Sequence, residues 1–153
     1  PVVGARDPVL IAAACRLADL GARLHPDHRG ELAFEQVLRA PIAGMSHAER
    51  AFLACAAFAR HSSVPNTPDQ TTVAKVLTTE RRQRARALGA AIRLGCDLSG
   101  RNVGIIPHSR LSIEGDRLVL STQSGWGDLL LGEQTAKRAQ TLAQALRLKL
   151  QVG

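Results

Sequence analysis

Aromatic residues are nearly missing from this sequence: Phe34, Phe52, Phe58 and Trp126, with no tyrosine, make up 3% of 153 residues. So few rings exclude a nucleic-acid platform built on stacked bases. They leave the interior to alanine and leucine, which favours close helix–helix contact. Long apolar runs are also missing. None reaches ~18 residues, which excludes a membrane-spanning helix, and no signal-peptide pattern is visible. Cysteine is sparse. Cys15, Cys55 and Cys96 stand far apart in apolar helical contexts, which excludes a disulfide framework or a zinc site. They read as buried free thiols in a reducing cytoplasm. There is no GxxxxGK[ST] and no GxGxxG, and Gly125-Trp126-Gly127 is a loop rather than a phosphate cradle opening a helix. No GxSxG occurs and no cysteine is flanked by activating polar groups, so nucleophilic catalysis has no support.

What is present is positive charge on an otherwise ordinary globular chain. Hydrophobic residues make up 45% and charged residues 22%, within normal usage for one domain large enough for a real core. The net charge of +7 comes almost entirely from arginine. It suits polyanionic partners such as phosphate chains or nucleotides. The plain alternative is a generic basic surface.

Helical signals fill the first hundred residues. Asp7-Pro8 opens a helix, with Asp7 as N-cap, and Val9 to Leu20 is apolar nearly all round, which predicts a central, buried helix. Gly30 to Arg39 reads as a second helix, stopped before Pro41. Ser46-x-x-Glu49 is a capping box for a third, running to about Arg60. A short helix is expected over Asp69 to Leu77, and Thr79 caps a long one from Glu80 to Leu98. The period then changes. Arg110 to Glu114 and Arg117 to Ser121 alternate around Gly115-Asp116, which predicts a β-hairpin. Glu133 to Leu150 reads as a closing amphipathic helix. The expected fold is mainly α: one domain over 1–153, with a helical body to about residue 100 and a hairpin-plus-helix cap beyond it.

Two groups of residues invite a functional reading. Arg81, Arg82, Arg84, Arg86 and Arg93 form the densest charge, and on a helix Arg82, Arg86 and Arg93 fall within roughly 40° of one another. Such a row can present bidentate forks to a polyphosphate. The alternative is a solvated face paired with Glu80 and Asp97. The second group concerns Leu17-Ala18-Asp19-Leu20-Gly21, which resembles the helix on which HD-type phosphohydrolases carry a His-Asp dyad. Asp19 stands in the second position, but Ala18 occupies the first and supplies no ligand. If the helices pack as in HD proteins, Asp19, His28, His61 and Asp97 form a residual metal or phosphate pocket. Otherwise the aspartates bond helix ends and arginines, and His28 and His61 are terminal residues near helix ends.

The series Ala13 to Gly21 followed by His25-Pro26-Asp27-His28-Arg29-Gly30-Glu31 resembles the C-terminal domain of the exopolyphosphatase/guanosine pentaphosphate phosphatase (Ppx/GppA) family. Leu38 to Met45, Ala48 to Ala54, Arg60-His61, Arg93 to Ser99, Leu118-Val119-Leu120 and Leu131-Gly132-Glu133 extend the likeness over nearly the whole chain. It looks most like the alphaproteobacterial branch. The resemblance implies an HD-like helical bundle. It also implies that phosphoanhydride hydrolysis and Mg²⁺ belong to an N-terminal actin-like catalytic region. The C-terminal domain then helps shape a basic channel for polyphosphate and takes part in dimerisation. On that footing this chain is a fragment, a separate domain or a truncated paralogue. It is an accessory domain with a degenerate HD site, needing no cofactor of its own and inactive alone. Its expected partners are polyphosphate or another polyanion, the catalytic region and a second copy, and not a membrane or nucleic acid. An independent HD-type phosphohydrolase with a rearranged metal site and a purely structural module are the alternatives.

Overall fold

A computed structural model describes residues 4–100 and 102–153. The backbone divides into two compact units, the first ending at Gly89 and the second beginning at Ala90.

The first unit holds α1 (Asp7–Arg16), α2 (Arg29–Arg39), α3 (His47–His61), α4 (Gln70–Val76) and the start of α5 (Thr79–Ser99). Helix α3 is its centre: every residue from Ala51 to Ala59 is buried. The expected capping box starts it. Glu49 N–H donates to Ser46 Oγ at 3.2 Å and Ser46 N–H donates to Glu49 Oε2 at 2.8 Å, satisfying two donors that a helix start leaves without partners. Small residues let neighbouring helices approach closely. A Cβ at Gly30 would lie 3.2 Å from Phe58 Cδ2, and one at Gly89 only 2.6 Å from Ala59 Cβ. Alanine and glycine thus do here what large aromatics do in other cores. Asp69 accepts from Thr72 N–H at 3.2 Å to start α4, as its position suggests.

The first helix differs from expectation in both length and burial. It ends at Arg16 rather than Leu20, and only Leu10 and Ala14 are buried along it, while Val9, Ile11 and Cys15 are exposed. Beyond Arg16 the chain tightens into successive i→i+3 bonds, including Leu20 N–H to Leu17 O at 3.0 Å and Ala22 N–H to Asp19 O at 2.9 Å. The cause is a close approach. A Cβ at Gly21 would meet His61 Nε2 at 2.7 Å and Arg29 Cγ at 2.8 Å, so the backbone here is pressed against side chains of α2 and α3. Asp7 is the first helical residue rather than the cap, because Arg81 holds its carboxylate.

The second unit carries the rest of α5, a single 3₁₀ turn (Ile106–His108), β1 (Ser109–Glu114), β2 (Arg117–Thr122), α6 (Gly127–Leu130), α7 (Glu133–Leu146) and β3 (Lys149–Val152). The hairpin forms as expected, with Glu114 opposite Arg117 across Gly115-Asp116, and Gly115 at φ +60°. The closing helix does not run to Leu150. Arg147 adopts the left-handed region at φ 57°, and Leu148 N–H bonds back to Ala143 O at 2.9 Å, a Schellman-type stop. The following residues form β3, parallel to β2, with Leu118 opposite Leu150 and Leu120 opposite Val152. The hairpin is therefore part of a three-stranded sheet in the order β1-β2-β3, with α6 and α7 as the crossover that a parallel pair requires. Leu118, Leu120, Leu142 and Ala143 are among its buried residues. Every strand among the described residues lies after residue 100.

Candidate anion-binding site

Of the HD-like residues, Asp19, His28 and His61 belong to the first unit and Asp97 to the second. Asp19 lies outside α1, in the tight turns, and is exposed, while the Ala18 methyl group is buried. His28 is also exposed, with Nδ1 3.9 Å from Glu31 Oε2 and its ring 5.9 Å from that of His25. His61 is half-buried and its Nε2 is turned under Gly21. In the second unit, Asp97 accepts a 2.9 Å hydrogen bond from Arg138 Nε. Among the described residues no three His, Cys, Asp or Glu side chains are grouped to hold a metal ion.

The cysteines divide by burial. Cys15 is exposed, contrary to the expected buried thiol, because the outer face of α1 is uncovered; Cys96 is half-buried and Cys55 fully buried. Burial pushes the Cys55 thiol up to about 11, so it stays an unreactive thiol at neutral pH.

The arginines of α5 separate into two kinds. Arg81 Nη1 donates to Asp7 Oδ1 at 2.9 Å, and its guanidinium carbon lies 4.6 Å from the Phe52 ring centroid. Arg84 donates to Glu80 Oε1 at 2.8 Å and lies 3.9 Å from Asp7 Oδ2. These two fasten α1 to α5. Arg82 is different. It donates from Nη2 to Thr79 Oγ1 at 3.0 Å, and among the described residues it faces no carboxylate and its buried Nε has no acceptor. Arg86 is half-buried and has no carboxylate within ion-pair distance among the described residues. Arg93 lies on the part of α5 belonging to the second unit.

Sequence reasoning missed three more arginines of this kind. Arg29, Arg50 and Arg60 are half-buried, and each has a buried Nε with no acceptor. Arg29 reaches only the Leu24 carbonyl at 3.3 Å, and Arg50 the Ala40 carbonyl at 3.2 Å and the His47 ring. Among the described residues none of the three faces a carboxylate. The available signal was arithmetic: arginine outnumbers acid by 17 to 13 in this chain, so some guanidinium groups lack a counter-charge of their own. A half-buried guanidinium without an anion is desolvated without compensation. A phosphate oxygen is the acceptor its geometry fits best.

The first unit is thus a helical, arginine-rich domain whose cations exceed their counter-ions. The chain belongs to the family of exopolyphosphatase C-terminal domains, whose model matches residues 5–152. No curated protein matches it. Among the described residues no helix is long and apolar enough to cross a membrane.

Proposed function

We propose that this chain is a non-catalytic accessory domain of an exopolyphosphatase, which holds the phosphate polymer through arginines of α5 and pairs with a second copy. Membership of the exopolyphosphatase C-terminal family implies a catalytic region elsewhere in the same protein. The observation that carries the binding role is the contrast within α5. Arg81 and Arg84 are neutralised by Asp7 and Glu80, whereas Arg82 and Arg86 have no carboxylate partner among the described residues. These two lie one helical turn apart and so on one face. The buried Ala18 and the exposed Asp19 and His28 support a degenerate HD-like pocket rather than a hydrolase site.

Titration of polyphosphate at low and high salt, in the parent and in Arg82→Ala/Arg86→Ala, tests the binding role. The affinity of the parent falls steeply with salt, because each contact releases condensed counter-ions, by analogy with nucleic acid. It rises with polymer length, and the double variant binds more weakly. Equal binding by both proteins places the site away from α5. No binding at low salt removes the polyanion role.

The hold of Asp7 on Arg81 and Arg84 favours a second reading, in which the charge of α5 is structural and the domain is an interaction module. The same titration separates the two.

A further inference from the structure

We propose that the outer edge of β1 is the surface on which two copies of this domain pair, by antiparallel strand addition about Ser112. This rests on the reading that the domain associates with itself, and it assigns that association a place and a register.

The sheet ends at β1, and no strand among the described residues lies on its outer side. Exposed edges of this type are usually blunted by lysine, proline or a bulge. The opposite edge is so protected, since Lys149 on β3 pairs with Asp116 at 2.8 Å. On β1 there is no lysine, proline or bulge, and its charges, Arg110 and Glu114, are of opposite sign. It carries Leu111 and Ile113, which are 44% and 61% exposed. Both lie on the apolar face of the sheet, because Leu111 stands opposite Leu120 and Ile113 opposite Leu118, and both partners are buried. The apolar surface therefore runs past the edge into solvent.

The hairpin fixes which backbone groups are open. Glu114 and Arg117 close the two-residue turn, so they form a hydrogen-bonded pair, and alternation gives the same status to Ser112–Val119 and Arg110–Ser121. The N–H and C=O groups of Leu111 and Ile113 consequently point outward. A second β1 laid antiparallel with Ser112 opposite Ser112 uses these groups. Leu111 of each copy meets Ile113 of the other at hydrogen-bonded positions, which gives four backbone bonds.

The side chains are self-complementary in that register and in no neighbouring one. Arg110 of each copy stands opposite Glu114 of the other, on the face that carries Ser112, where Ser112 and Glu114 already bond at 3.1 Å. Leu111 and Ile113 meet on the apolar face. Centring the pair on Leu111 sets Ile113 against Ser109, and centring it on Arg110 sets two arginines face to face. Centring it on Ile113 brings Gly115 of the turn into the ladder. A two-fold strand pair needs one patch that complements itself, and Arg110-Leu111-Ser112-Ile113-Glu114 is such a patch.

Sedimentation velocity over a concentration series tests the register on the parent, on Arg110→Glu, on Glu114→Arg and on the double exchange. Each single exchange sets like charges opposite each other twice, and the association midpoint rises by about tenfold; the double exchange restores it. Ile113→Lys places an edge lysine and also weakens pairing. Arg110, Ile113 and Glu114 are exposed, and Trp126 fluorescence checks that the unit stays folded. In a Cys15→Ser background, Ser112→Cys cross-links to itself on mild oxidation, whereas Arg110→Cys does not. A parent dimer indifferent to all these changes refutes the β1 interface and leaves self-association standing. A parent that stays monomeric at every concentration refutes both.

Discussion

Replacing Asp7 by asparagine separates the structural and binding roles of the α5 arginines. The Asp7 carboxylate is 13% exposed and lies 2.9 Å from Arg81 Nη1 and 3.9 Å from Arg84 Nη1. Asparagine keeps the shape and an acceptor oxygen but removes the charge. The lost charge-assisted bond is worth ~1.5–3 kcal/mol. The carboxylate in the first turn of α1 adds roughly 0.3–1 kcal/mol through the helix dipole. Arg81 and Arg84 are 32% and 29% exposed, so water recovers part of the loss. The net cost is about 2 kcal/mol, which for a chain of this length lowers Tm by roughly 4–8 °C. Thermal and urea unfolding followed by circular dichroism measure it. A double-mutant cycle with Arg81→Met, which keeps the aliphatic stem over Phe52, isolates a coupling of about 1–2 kcal/mol. Polyphosphate affinity moves the other way, because the Arg81 guanidinium is released to join Arg82 and Arg86 while Arg84 keeps Glu80, and the salt dependence steepens. A stability change within ~0.5 kcal/mol, the range of an ordinary surface substitution, refutes the latch. Lower stability with unchanged polyphosphate affinity shows that Arg81 faces away from the polymer.

Two glycines of α5 give opposite outcomes on substitution. Gly89→Ala drives a methyl group to 2.6 Å from Ala59 Cβ and 2.9 Å from Arg60 N, and costs about 1–3 kcal/mol by overpacking. Gly95→Ala meets nothing within 4 Å and stabilises by roughly 0.5–1 kcal/mol through helix propensity; urea midpoints showing the same sign for both refute the α3–α5 contact. The capping box predicts a pH dependence. The Arg6 hydrogen bond, aided by the Ser46 N–H, holds Glu49 at about 2, below its ordinary value of 4.5. Its stabilising contribution is therefore complete above pH 4.5 and is lost as pH falls toward 2, because the unfolded chain takes up the proton first. Urea midpoints between pH 5 and 2 fall less in Glu49→Gln than in the parent, and parallel curves refute the assignment.

Features written within four residues were legible in the sequence. The Ser46–Glu49 box, the Asp69 start of α4 and the Gly115-Asp116 turn are each complete in a short local pattern, and each forms as read. The misreadings occur where a distant contact decides. Leu142, Leu146 and Leu150 repeat at helical spacing, but Leu146, Leu148, Leu150 and Val152 also alternate, and the two periods overlap on the same leucines. The bond from Leu148 to Ala143 and the pairing with β2 select the strand. The apolar run after Asp7 supports a helix of any length to Leu20. What ends it is Gly21 lying against His61, forty residues away in the sequence.

The candidate site was legible to the same limited depth. Spacing correctly places Arg82 and Arg86 on one face of α5, since that follows from the helix alone. Spacing does not say which arginines keep their charge available. That is decided by Asp7, 74 positions before Arg81, which the sequence offers only as a helix cap. Expected pairing with Glu80 holds for Arg84, but Asp97 goes to Arg138 instead. A row of like charges on a helix therefore reports geometry, and the potential it presents depends on which carboxylates the fold returns to it. In this chain the fold returns one carboxylate to two of the arginines and none to Arg82 or Arg86. A dense basic run thereby becomes a latch at Arg81 and Arg84 and, among the described residues, an unneutralised pair at Arg82 and Arg86, and it is on the second that the proposed polymer binding rests.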